Sequence, residues 1–126
     1  MTIELTAQEF KDTMTTPMVD VTATAEPAVD IWEYAEQLAD QRVIDKYVVD
    51  QGLVEFVYRN TENTFDHVLL PTDDSNAYIV LVVDLINPWV IGHHRLDLNA
   101  LYSTLRKYPL LHQQIRLTNA RAEAGI

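Results

Sequence analysis

Residues 77–98 read AYIVLVVDLINPWVIGHHRLDL, and this stretch decides the fold. It holds two runs rich in β-branched and aromatic residues, Ala77–Leu85 and Trp89–Leu98. Ile86-Asn87-Pro88 between them is a turn-type connection, so the runs are expected to pair as antiparallel neighbours. Alternation divides the first run into two faces. Ile79, Leu81, Val83 and Leu85 are purely aliphatic and are assigned to a core under a helix. Tyr78, Val80, Val82 and Asp84 take the opposite face. With Asn87-Pro88 as the loop, Asp84 faces Ile91, Val82 faces His93, Val80 faces Arg95 and Tyr78 faces Asp97. His94 then lies beside Leu81 on the core face. A slip of one residue would exchange all of these positions.

Two further strand-like runs precede this pair, Leu53–Arg59 and Phe65–Leu70, joined by Asn60-Thr61-Glu62-Asn63. Pro71 to Asn76 supplies the next turn. The simplest topology is a four-stranded antiparallel meander. Upstream, Thr6-Ala7-Gln8-Glu9 has capping-box spacing and predicts a short helix through about Met14. Thr15 to Thr24 reads as a connecting segment whose β-branched content also suits a short edge strand. Pro27 is expected to open a stronger helix. In it Ile31, Trp32, Ala35, Leu38 and Ala39 form one apolar stripe, ending between Arg42 and Lys46. Tyr47-Val48-Val49 fits helix or strand equally. Short helices are expected from Ala100 and after Pro109. The expected fold is α+β: N-terminal helices packed on a four-stranded antiparallel β-meander, with one or two short C-terminal helices. Residues 1–126 form one domain, in which 1–25 either pack or float and 121–126 fray. A helix followed by a meander is similar in outline to cystatin-like architectures, a resemblance of element order alone.

The chain has 126 residues, 19 acids against 9 bases, and a formal charge of -10. The imbalance disfavours binding to nucleic acid and to anionic membrane surfaces, because both depend on neutralising phosphates. No cysteine is present, which excludes disulfides and thiolate chemistry and fits a cytoplasmic protein. No basic leader or long apolar run is visible. Three glycines, none clustered, supply neither a phosphate cradle nor a dinucleotide fingerprint. Asp73-Asp74-Ser75-Asn76 is a string of turn formers without the glycine and distal glutamate of a calcium loop. Asp66, Asp84 and Asp97 are scattered, Ser75 and Ser103 lack a nucleophile elbow, and His93 and His94 point to opposite faces of a strand. No catalytic residue, metal site or cofactor is therefore expected.

Two surfaces remain. Residues 1–50 carry most of the negative charge, and Asp30, Glu33, Glu36, Asp40 and Asp45 form a band along the main helix. Such a band speeds association with a basic protein partner, here through Asp30, Trp32, Glu33, Glu36 and Asp40. This reading gives a small acidic, non-enzymatic interaction protein of inhibitor- or immunity-like style. The alternative is a small-molecule- or metal-binding domain, including an enzyme, on the second face of the sheet. That face gathers Val54, Phe56, Tyr58, Phe65, His67 and Leu69, with His93, Arg95 and Asp97 joining by the register above. Its apolar content equally suits cover by the N-terminal segment, by C-terminal helices, or by a second copy in a homodimer.

Overall fold

The computed structural model describes residues 1–14, 16–23 and 30–97. Its elements in chain order are α1 (Ala7–Asp12), β1 (Met18–Asp20), α2 (Ile31–Asp40), α3 (Lys46–Gln51), β2 (Phe56–Asn60), β3 (Phe65–Pro71), β4 (Ala77–Asp84) and β5 (Trp89–Asp97). The fold is α+β, and the sheet is an antiparallel meander in the order β1-β2-β3-β4-β5. It has five strands rather than four. The Thr-rich connection supplies the extra edge strand, pairing Met18 with Asn60 and Asp20 with Tyr58. The Thr61 N–H donates to the Pro17 carbonyl and the Val57 N–H to the Thr22 hydroxyl, which tie both ends of β1 to β2. The expected helices after Ala100 and Pro109, and the opening at Pro27, lie outside the described residues.

Local chemistry sets the helix ends. The Glu9 N–H donates to the Thr6 hydroxyl at 3.1 Å and the Thr6 N–H to the Glu9 carboxylate at 3.0 Å, closing the capping box. Asp30 caps α2, accepting from the Trp32 N–H at 2.9 Å, so the described helix begins at Ile31. Tyr47-Val48-Val49 is helical. Asp45 caps its start and Gly52, at φ +61°, ends it in the left-handed conformation that glycine adopts freely. The strand expected from Leu53 begins at Phe56 instead, because the Leu53 N–H still closes the turn to Val48.

The register of β4 and β5 differs from the sequence expectation, by two residues at the turn and by one beyond a bulge. Asp84 accepts hydrogen bonds from the Ile86 N–H, the Asn87 N–H and the Asn87 side-chain amide, at 2.8, 3.3 and 2.9 Å. These bonds hold a four-residue turn, Leu85 to Pro88, so Asp84 pairs with Trp89 rather than Ile91. The register then shifts between Val82 and Val83, leaving Ile91 as the extra residue of a bulge. Beyond it Val80 pairs with His94, Leu81 with His93, Ile79 with Arg95 and Ala77 with Asp97. His93, Arg95 and Asp97 therefore move to the face of Leu81, and His94 to the face of Val80.

The helices cover both faces rather than forming one layer. On one face α2 and α3 bury Ile31, Ala35, Leu38, Ile44 and Val48 against Val68, Leu70, Ile79, Leu81 and Val83. Val54 packs on this side too, not with the aromatic set. On the other face Leu5, Phe10, Met14 and Met18 lie over Phe56, Tyr58, Leu69, Val80, Val82 and Leu96. Leu5, Phe10, Met14 and Met18 thus anchor the described part of the N-terminal segment. No helix among the described residues is long and apolar enough to cross a membrane.

Gly92 allows that N-terminal cover to approach. The Leu5 N–H donates to the His93 carbonyl at 2.7 Å and the His93 N–H to the Ile3 carbonyl at 2.9 Å, a short parallel bridge along β5. A Cβ at Gly92 would meet the Leu5 side chain at 2.7 Å and the Ile3 carbonyl oxygen at 2.8 Å. Gly92→Ala is expected to push the N-terminal segment off β5 at a cost of about 1–3 kcal/mol. Urea unfolding measures the cost. Amide exchange should show Leu5 and His93 losing protection before the rest of β5, and uniform protection would contradict this role.

Candidate functional site

The acidic band lies on the outer face of α2. Helical spacing places Glu33, Glu36 and Asp40 opposite the buried stripe of Ile31, Ala35 and Leu38. Asp30, Glu33, Glu36 and Asp40 are all exposed, and none has an ion-pair partner among the described residues. One oxygen of Asp30 is committed to the helix cap. Trp32 is half-buried against the α2-side core, near Gly52, so it braces the helix and presents only part of its ring. The band is a row of carboxylates along one helix face.

The aromatic and histidine residues do not form one open surface. Phe56, Tyr58 and His67 share a face, as the strand pattern implies, but they are buried, with Leu5, α1 and Met14 covering that face. The one-residue shift removes His93, Arg95 and Asp97 to the opposite face. No group of three or more His, Asp or Glu able to hold a metal is found among the described residues.

His67 is fully enclosed. The Thr13 hydroxyl donates to the Phe10 carbonyl at 2.7 Å, so its single proton is spent. The 2.8 Å contact to His67 must then be an Nε2–H donating to Thr13. Its Nδ1 has no partner among the described residues, and an imidazolium there would bury an unpaired N–H and a charge, so the ring is neutral with a bare Nδ1. Burial depresses its pKa to about 3. The Tyr58 hydroxyl is likewise buried with no partner among the described residues, and burial raises its pKa. His94 stacks on Phe10 at 4.7 Å, with Nδ1 3.0 Å from the Leu5 carbonyl oxygen.

His93 joins three segments. Its Nδ1 lies 2.8 Å from the Tyr34 hydroxyl, which also accepts from the Ile3 N–H and contacts the Ile3 carbonyl. Burial lowers the His93 pKa and raises that of Tyr34. The histidines thus pin the N-terminal segment to α2 and the sheet. Tyr34 and Thr13 were not candidates in the sequence. Tyr34 does fall three residues after Ile31 on the apolar stripe, but nothing local points from Thr13 to His67, 54 residues away.

Arg59 and Asp66 face each other across β2 and β3 in a forked pair, Nε to Oδ1 at 2.8 Å and the terminal nitrogen to Oδ2 at 3.0 Å. This pair is satisfied within the sheet. In comparisons with protein-family models, curated proteins and solved structures, nothing matches this chain.

Proposed function

We propose that this is a non-enzymatic interaction protein whose α2 face docks a basic protein partner and occludes the partner's working surface. The observation that carries the reading is the row Asp30, Glu33, Glu36 and Asp40, exposed and without ion pairs among the described residues. Unpaired charges on a rigid helix raise the rate of encounter with a cationic surface and lose little in entropy on docking. Glu33 and Glu36 are the residues expected to steer. Asp30 contributes charge while holding the cap, and Asp40 closes the row. Cover of the sheet face that carries Phe56, Tyr58 and His67 by α1 further favours a surface function over a ligand site there.

Charge reversal tests it. The double variant Glu33→Lys, Glu36→Lys touches only exposed positions and should leave unfolding within about 0.5 kcal/mol of the wild type. Affinity capture from lysate of the source organism, eluted with a salt gradient, should yield a basic protein with the wild type and not with the variant. Equal retention of that protein by both, or elution insensitive to salt, would remove the α2 face from the function.

A further inference from the structure

The lysines and arginines among the described residues are Lys11, Arg42, Lys46, Arg59 and Arg95. Arg59 is consumed by Asp66. Arg42, Lys46 and Arg95 instead line one cleft of about 500 Å³, between the α2–α3 connection and the β3–β4 turn. Three of the four described cations other than Arg59 thus converge on one hollow. The volume is that of ordinary small-molecule sites.

Arg42 stands there against backbone preference. It occupies the position just past the C-cap of α2, at φ 61°. The Arg42 N–H donates to the Ala39 carbonyl and the Val43 N–H to the Leu38 carbonyl, the bond pattern that glycine ordinarily completes. A side chain with a Cβ is strained in this conformation. The conformation closes α2, and the side chain it carries there, where glycine would do, lines the cleft. Arg42 and Lys46 have no ion-pair partner among the described residues. Arg95 has only loose ones, Asp74 at 3.5 Å and Asp97 at 4.0 Å.

The carboxylates at the cleft are differently employed. Asp45 accepts from the Tyr47 N–H at 2.8 Å to cap α3. Asp74 accepts from the Asn76 N–H at 2.8 Å to hold the β3–β4 turn, leaving its second oxygen near Arg95. Asp73 is exposed. Arg42 and Lys46 are unpaired among the described residues and Arg95 is loosely paired, while three carboxylates balance their charge, so an anion here is held by directed guanidinium and ammonium contacts rather than by net charge.

We infer that this cleft binds a small anionic molecule through Arg42, Lys46 and Arg95, its recognised group being a phosphate or a cluster of carboxylates. Guanidinium forks match both groups geometrically, and the two are separated by choice of probe. The site is distinct from the α2 docking face and does not depend on it.

The test is a titration of the full chain with inorganic pyrophosphate and, separately, with citrate, followed by amide shifts in nuclear magnetic resonance. Saturable shifts at Arg42, Val43, Lys46, Asp74 and Arg95 are expected with at least one probe, and the tighter of the two names the group. Arg42→Gly should raise the thermal midpoint, since glycine suits the left-handed backbone, yet weaken binding by about tenfold, the loss of one charge-assisted contact. Lys11→Ala, on α1, should leave binding unchanged. Linear, unsaturating shifts with both probes would overturn the assignment. So would full binding by Arg42→Gly, or an equal loss on Lys11→Ala, which would reduce the effect to general charge.

Discussion

Between pH 7 and pH 5 the protein is expected to lose about 2 kcal/mol of stability to the protonation of His67 in the unfolded state. Burial holds the native imidazole near pKa 3, against 6.5 for a free histidine. Across that interval the unfolded chain binds a proton that the native ring refuses. Stability is therefore complete above about 6.5 and falls as the pH drops toward 3. His93, lowered by burial as well, acts in the same direction. The carboxylates of Glu9 and Asp84 are also lowered, by hydrogen bonds from Thr6 and from Ile86 and Asn87. Their loss is confined to lower pH, so the range from 5 to 6.5 reports the histidines. Urea unfolding at stepped pH measures the slope. The imidazole resonances of native His67 should show no titration in that range and should carry the signature of the Nε2–H form. A native His67 titrating near 6.5 would mean that α1 does not exclude water from it.

Phe10→Ala is expected to cost about 3–5 kcal/mol and, at the same time, to flatten that acid dependence. Phe10 is only 3% exposed, stacks on His94 and meets His67 edge-on at 5.7 Å. α1 has six residues, far too few to stand without tertiary contacts. Removing its one buried ring takes away the main reason for the helix to stay on the sheet. Once it leaves, His67 regains water and an ordinary pKa, so the linkage disappears with the cover. The difference in stability between wild type and variant should be smaller at pH 5 than at pH 7. An unchanged difference would show that something other than Phe10 keeps His67 dry. Phe10→Leu, which keeps most of the apolar volume, should retain both stability and pH dependence in large part.

The two effects arise from the same feature, a sheet covered on both sides. Its aromatic face was legible in part. Phe56, Tyr58, Phe65, His67 and Leu69 share a face because strand alternation requires it. The position of β5 was not legible, because register depends on a turn and a bulge. Asp84 reads plainly as a turn former at the end of a strand. That it draws in Ile86 and Asn87 and fixes a four-residue loop is visible only with the backbone in place. Gly92 signals a bulge or a close approach, and both occur beside it. Their combined result is a shift of one, which at a period of two exchanges the faces of His93 and His94.

The candidate site divides in the same way. The acidic row on α2 follows from spacing alone, since an apolar stripe of period 3.6 leaves Glu33, Glu36 and Asp40 outside. That it has no ion pair among the described residues is a tertiary fact. The cationic cleft could not be read in advance: Arg42 and Lys46 are near in sequence, but Arg95 lies about 50 residues further on, and the three belong to a loop, a helix and a strand.

By itself, then, the amino-acid sequence determined the α+β class, the hairpin at residues 77–97, the capping box at Thr6 and the charged face of α2. Each is written in spacings of one to four residues, where period and hydrogen-bond reach act locally. Only the tertiary structure decided that Met18–Asp20 joins the sheet, that α1 seals His67, which histidine faces which core, and where the free cations meet. These depend on contacts between residues tens of positions apart, whose free energy is settled by packing and burial rather than by neighbours in the chain.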